Sequence, residues 1–123
     1  MTRDEWTKLL QECTQQAGTY RPYFDPVIEA LAVIMEQRDD ALDKFYETGG
    51  STIISHTNKA KQTNYVKNPA LVMFNDLSAT ALHYWRDLGL TPAGLKRIDE
   101  KAMEQRRKTA LDDMAELLKD AEA

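Results

Sequence analysis

Three steps in which a helix-capping residue precedes proline punctuate the chain: Asp25-Pro26, Asn68-Pro69 and Thr91-Pro92. The capping side chain takes up a free backbone N–H, and proline already holds the φ angle of a first helical turn, so each step marks a helix start. Gly18, Gly49-Gly50 and Gly89 stand where the intervening stretches would end, because glycine tolerates the left-handed conformation that follows a helix. Starts and stops at this spacing favour a small set of helices over any strand-rich fold.

The apolar positions agree. Trp6, Leu9, Leu10, Cys13 and Ala17 recur at three- and four-residue steps, which predicts a helix over 3–17, opened by Thr2 and Glu5 as a capping box. A loop with three aromatics, Tyr20, Tyr23 and Phe24, leads to Asp25, which is expected to cap a second helix over 26–47. A third helix, over 69–88, carries Leu71, Phe74, Leu77, Ala81, Leu82, Trp85 and Leu88 on one side. Leu90-Thr91-Pro92 then turns the chain into a fourth helix over about 92–120.

In that last helix the stripe Leu95, Ile98, Ala102 would continue onto Gln105, Thr109 and Asp112, whereas the later apolar set is Ala110, Leu111, Met114, Leu117 and Leu118. The phase slips across Gln105-Arg106-Arg107-Lys108. One stretch therefore faces the domain and the other faces something else, either a bend in the same chain or a helix of a second copy. Residues 105–123 form a candidate oligomerisation helix with Leu111, Met114, Leu117 and Leu118 at its interface.

Residues 51–67 differ from their surroundings: Thr52-Ile53-Ile54 is a short β-branched run, followed by Asn58, Lys59, Lys61, Gln62, Asn64 and Tyr65-Val66. This reads as a loop or a weak β-hairpin. The expected fold is all-α, with about four helices in one domain over 1–123 and this single excursion. A chain of 123 residues buries about two thirds of its unfolded surface and needs neither disulfide nor metal to hold a core. Its longest apolar run, Ala30 to Met35, falls far short of the roughly 20 residues that cross a bilayer. The charged start, Met1-Thr2-Arg3-Asp4-Glu5, is unlike a secretory signal, and the lone Cys13 agrees with a reducing compartment, so the cytoplasm is the expected location.

Charge is unevenly spread. Residues 1–50 hold five basic and ten acidic side chains, 51–98 six and two, and 99–123 five and eight, for a total of −4. The middle is basic between two acidic ends.

Asn68-Pro69-Ala70-Leu71, followed by Trp85-Arg86-Asp87-Leu88-Gly89-Leu90-Thr91-Pro92-Ala93-Gly94-Leu95-Lys96-Arg97 and preceded by the Lys-rich stretch 58–67, resembles the small terminase subunits of tailed bacteriophages over about residues 20–100. The resemblance implies a mostly helical, non-enzymatic protein that assembles into a homo-oligomeric ring in the infected or lysogenic host. Its partners would be double-stranded DNA at the packaging site and the large terminase subunit that holds the ATPase and nuclease activities. The Gly89-Leu90-Thr91-Pro92 turn reads as a stop-and-start device rather than an active site.

Candidate DNA-binding residues are Lys59, Lys61 and Lys67, interleaved with Asn58 and Asn64. Phosphate contacts need cations and neutral donors away from carboxylates, and residues 51–75 contain no Asp or Glu. The plain alternative is a solvated surface loop. Arg86, Lys96 and Arg97 surround the third-to-fourth helix turn as phosphate contacts or helix-end partners. Arg106-Arg107-Lys108 would line a ring or pair with Glu100, Glu104, Asp112 and Asp113 along the helix. Few cations on one copy would bind DNA weakly, so function leans on several copies acting together.

Enzymatic chemistry finds no support. The ladder Glu36, Asp39, Asp40, Asp43 and Glu47 reads as a solvated helix face rather than a cation site, His56 and His83 lie 27 residues apart, and no phosphate-loop motif occurs. No metal or cofactor is expected. His83 and Trp6, Phe74 and Trp85 read as packing or interface, and Cys13 as a small buried hydrophobe. The rival function is an acidic helical protein-interaction or regulatory module that never touches DNA.

Overall fold

The computed structural model describes residues 1 to 122. It comprises α1 (Arg3–Ala17), α2 (Asp25–Glu47), a hairpin of β1 (Ile53–Thr57) and β2 (Thr63–Lys67), α3 (Pro69–Asp87) and α4 (Pro92–Glu122). The chain is mostly helical, as the cap and glycine signals predicted, and the excursion read as a loop or a weak β-hairpin is an antiparallel hairpin. Residue 123, the end of the predicted oligomerisation stretch, lies outside the described residues.

Capping chemistry works largely as the sequence indicates. Thr2 Oγ1 accepts from the Glu5 N–H at 3.2 Å, Asn68 Oδ1 from the Ala70 N–H at 3.1 Å and Thr91 Oγ1 from the Gly94 N–H at 3.1 Å. Asp25 is the exception. A single 3₁₀ turn, Pro22–Phe24, runs directly into α2, so Asp25 is already helical and Phe24 occupies the capping position without a side-chain bond. The Asp25 carboxylate instead accepts from the Tyr20 hydroxyl at 3.0 Å and the Gln11 amide at 3.4 Å, which ties the α1–α2 loop to both helices.

The core lies where α2 packs on α1 and α3, around Leu10, Ile28, Leu31, Ala32, Met35, Ala81 and Leu88. Thr19 links its ends, its hydroxyl donating to the Leu88 carbonyl at 2.7 Å in a buried position. Part of the acidic ladder is engaged rather than merely solvated. Glu36 accepts from the free Arg3 N–H at the start of α1 at 2.6 Å, and Asp39 from the Trp6 indole at 2.7 Å, while Asp40, Asp43 and Glu47 are exposed. The Glu36 carboxylate thus satisfies an open N–H at the start of α1, and Asp39 holds the same helix through its Trp6 side chain.

The predicted apolar side of α3 is only partly covered. Leu82 is 61% exposed and His83, expected at a packing or interface position, is exposed beside Arg86 and so not packed within the chain, with His83 Nδ1 and Arg86 Nη2 3.1 Å apart. Cys13 is half-buried. Of the two alternatives the sequence leaves for the last helix, a bend is not formed: α4 is unbroken from Pro92 to Glu122 and nothing within it absorbs the phase slip. Leu95 and Ile98 are half-buried, yet every residue from Asp99 to Ala121 is exposed, including Leu111, Met114, Leu117 and Leu118.

Candidate nucleic-acid interface

Gly49 and Gly50, both in the left-handed region at φ 89° and 69°, swing the chain out of α2, and Asn68 returns it to α3. Asn68 is 1% exposed. Besides capping α3, its amide donates to Thr48 Oγ1 at 2.8 Å and to the Ser51 carbonyl at 2.9 Å, and its backbone N–H donates to the Thr52 carbonyl at 2.9 Å. One side chain therefore closes the base of the hairpin. Beyond that base the hairpin stands clear of the helices, since Ile54 alone is half-buried and every other residue from Ser51 to Lys67 is exposed.

The tip is a three-residue loop between Asn58 and Gln62. The Asn58 N–H donates to the Gln62 carbonyl, and the Lys61 N–H to the Asn58 carbonyl, each at 3.0 Å. Lys61 then sits in the left-handed region at φ 59°, the position such loops usually give to glycine. Asn58 Oδ1 accepts from the N–H groups of Ala60 and Gln62, both at 3.0 Å. Its carbonyl oxygen is thus committed to shaping the turn, which presents Lys59 and Lys61 to solvent.

The register pairs Ile53 with Lys67, Ile54 with Val66, Ser55 with Tyr65, His56 with Asn64 and Thr57 with Thr63. Opposed residues project to the same face of an antiparallel pair, and neighbours along a strand project to opposite faces. One face therefore carries Ile54, His56, Asn64 and Val66, the half-buried Ile54 marking it as the side turned toward the body at its base. The other face carries Ile53, Ser55, Thr57, Thr63, Tyr65 and Lys67 and is exposed throughout.

The five predicted residues are all exposed on the hairpin, but not in one cluster. Asn58, Lys59 and Lys61 share the tip. Lys67 lies at the base, about 13 Å along the strand from Thr63, and Asn64 lies on the face opposite Lys67. Sequence reasoning missed the hydroxyls of Ser55, Thr57 and Thr63, which join Tyr65 and Lys67 on the outer face. Thr57 and Thr63 Oγ1 lie 3.2 Å apart. Alternation along 53–57 and 63–67 was the available signal, and it becomes readable only once the register is known.

A second cationic feature lies at the α3–α4 turn. Gly89, at φ 73°, closes α3 with its N–H on the Arg86 carbonyl at 3.0 Å while the Leu90 N–H donates to the Trp85 carbonyl at 2.9 Å. A Cβ on Gly94 would collide with the Arg86 carbonyl oxygen, so glycine is what lets α4 start against the end of α3. The recess this leaves is lined by Arg86, Arg97 and Lys101 together with Asp87, Gly94 and Ile98. Lys101 was not among the sequence candidates, although its position one turn beyond Arg97 could have signalled it. Lys96 points elsewhere, 3.9 Å from Glu100. Among the described residues no other ion pair occurs in α4, so the expected pairing of Arg106, Arg107 and Lys108 with neighbouring carboxylates is not formed.

No group of three or more His, Cys, Asp or Glu residues suited to a metal ion occurs among the described residues. Among the described residues the one perturbed titratable group is Tyr20, whose pKa is raised above its ordinary value by the hydrogen bond to Asp25, then by desolvation and the carboxylate charge. It lies in the α1–α2 loop, away from the hairpin.

A family model described as phage terminase, small subunit, matches residues 2–105. The chain belongs to the phage terminase small-subunit family. The match takes in the core, the hairpin, the α3–α4 turn and the first half of α4, and it carries the Asn68-Pro69 and Leu88-to-Pro92 motifs on which the resemblance rested. Comparison with curated proteins and with solved structures gives no significant match. As a terminase small subunit the protein serves phage genome packaging, and in that setting the acid-free hairpin and the Arg86–Arg97–Lys101 recess are two of the cation-bearing surfaces among its described residues. No helix among its described residues is long and apolar enough to cross a membrane.

Proposed function

We propose that this small subunit recognises double-stranded DNA at the packaging site, pools its contacts by assembling into a homo-oligomeric ring in the host cytoplasm, and presents the DNA to the large ATPase and nuclease subunit. It performs no catalytic step itself. The observation that carries the reading is the hairpin, a ribbon exposed on both faces, free of carboxylates from residue 51 to 75 and tipped by Lys59 and Lys61. A two-stranded ribbon is narrow enough to enter the roughly 12 Å major groove, and Ser, Thr, Tyr and Lys side chains are the usual donors to phosphate. Lys59, Lys61 and Lys67 supply the phosphate contacts, Asn64 and the outer-face hydroxyls supply neutral donors, and Asn58 holds the loop that aims the two tip lysines.

A chain of net charge −4 with so few free cations holds DNA weakly alone, because affinity falls steeply with salt when few phosphates are neutralised. Repetition around a ring converts those contacts into avidity. The test is a titration of duplex DNA at several salt concentrations with the wild type and with Lys59, Lys61 and Lys67 all changed to Ala. Loss of affinity, with the salt slope falling by about 0.9 for each phosphate contact removed, is the expected result. No binding by the wild type at low salt would instead favour the acidic interaction module, and an unaffected triple variant would move the DNA surface to the α3–α4 recess.

A further inference from the structure

Two of the apolar surfaces left uncovered among the described residues cannot cover each other within one chain. The first is a groove lined by Trp6, Met35, Leu82, Trp85 and Leu90, with Arg38 and Ser78 at its polar edge. The second is the distal half of α4, where Ala110, Met114, Leu117 and Ala121 follow one another at four-, three- and four-residue steps with Leu111 and Leu118 beside them. Leu111, Met114, Leu117 and Leu118 are all 59–69% exposed. Thr91, at the start of α4, lines the groove. Because α4 is one straight helix, residue 109 already lies about 27 Å from Thr91 at 1.5 Å per residue. The arm points away from the groove beside which it begins.

We infer that the distal half of α4 from one copy of this chain docks into the Trp6–Trp85 groove of the next. Charge favours this pairing over contact between two arms. Residues 109–121 carry Asp112, Asp113, Glu116 and Asp120 against the single Lys119, so the arm is acidic. The groove's cation is Arg38, whose Nε donates to Ser78 Oγ at 2.9 Å and whose guanidinium lies over the Phe74 ring at 4.8 Å, its side chain 29% exposed. Its Nη1 lies 3.7 Å from Asp39 Oδ1, so this edge of the groove is close to neutral where a second arm would be acidic. Arm-to-arm packing would instead bring two acidic helices together and place Arg107, which continues the 110–114–117–121 seam at the preceding turn, within an apolar interface. An arm in a neighbour's groove is a head-to-tail contact, in which each copy uses two different surfaces. Repetition of that contact closes into a ring when the rotation permits, whereas a symmetric dimer would consume it.

This deepens the ring reading and depends on it. The test uses the full chain with Cys13→Ser. Cysteines replace Leu82 and Leu117, singly and together, under mild oxidation. The double variant is expected to give a ladder of covalent dimers, trimers and higher species, and an equimolar mixture of the two single variants to stop at dimers. Efficient cross-linking of Leu117→Cys to itself would overturn the groove in favour of arm-to-arm pairing. Leu82→Glu, at an exposed position that leaves the core intact, sets a carboxylate against the acidic arm and should lower the mass measured by light scattering at least twofold. If the wild type itself runs at 14.1 kDa, the ring reading fails as well. If it is oligomeric while the double variant gives no ladder and Leu82→Glu leaves the mass unchanged, only the groove assignment falls.

Discussion

The Asn68 amide donates to Thr48 Oγ1 at 2.8 Å, joining the start of α3 to the residue that ends α2 across the whole hairpin. The same amide group reaches the Ser51 carbonyl, and the other end of the carboxamide caps α3. Asn68→Asp retains the cap but sets an oxygen against the Ser51 carbonyl, and Asn68→Ala removes all three bonds from a buried site. The alanine variant should lose about 2–4 kcal/mol in urea unfolding and the aspartate variant about 1–3 kcal/mol. A change under about 0.5 kcal/mol in both would mean that Asn68 does not anchor the hairpin.

Gly94 is required by space, where Gly89 is required by backbone angle. A methyl group on Gly94 meets the Arg86 carbonyl oxygen, a fixed backbone atom that cannot rotate aside. On Gly89 it would meet Ile98 and Thr19 side-chain atoms in addition to the cost of φ 73°. Gly94→Ala should destabilise the protein by about 1–3 kcal/mol and should disturb the Arg86–Arg97–Lys101 recess, visible as amide shift changes at the α3–α4 turn. Wild-type shifts and an unchanged unfolding midpoint would show that the turn relaxes to admit the methyl group.

What the sequence conveyed well was local chemistry. Thr2, Asn68 and Thr91 cap as read, because a cap involves residues two or three apart. Asp25 looked identical and does something else, since the 3₁₀ turn ahead of it supplies the first helical carbonyls and frees its carboxylate for Tyr20. The candidate DNA-binding residues were placed on one exposed excursion, but their division between tip, base and two faces depends on strand register, which no local signal set. Arg38 over Phe74 and the uncovered Leu82 arise only from how α2 and α3 meet, 40 residues separating Arg38 from Ser78. The phase slip in α4 was legible, and its resolution as one straight exposed helix was not, because both alternatives leave the same pattern.

Lys61 allows charge and shape to be separated. Its φ of 59° disfavours a side chain, so Lys61→Gly should relieve about 1 kcal/mol of local strain while Lys61→Ala relieves none. Both remove one cation. Hydrogen exchange of the Thr57 to Thr63 amides is expected to slow in the glycine variant only, whereas the salt slope of DNA binding should fall by about 0.9 in both. Wild-type affinity in both variants would take Lys61 out of the contact surface.

The Tyr20–Asp25 hydrogen bond predicts behaviour at alkaline pH. A phenol raised above 10.0 in the folded protein stays protonated while the unfolded chain gives up its proton near pH 10. The bond's contribution is therefore complete below that pH and is lost as pH climbs through the folded value. Tyr20→Phe should flatten the decline in urea midpoint between pH 9 and 11 relative to Tyr23→Phe, a control at a residue that is 72% exposed. Parallel declines in the two variants would show that Asp25 does not hold the Tyr20 proton.

A helix of this arm's kind has no packing of its own to sustain it. From Asp99 to Ala121 every residue is exposed, and helices gain most of their stability from a buried face rather than from propensity. Ion pairs add little, since Lys96–Glu100 is the one i,i+4 pair among the described residues and such a pair is worth about 0.3–0.5 kcal/mol. If the distal apolar seam is covered by another copy, dilution should uncover it and fray the arm, while α1 to α3 keep their shared core. Mean residue ellipticity at 222 nm is therefore expected to fall as the protein is diluted through its dissociation range, and to become independent of concentration when the chain is cut after Arg107. Ellipticity that holds constant in the full chain down to the monomer would show that the arm is helical on its own and that its exposed leucines stabilise no assembly.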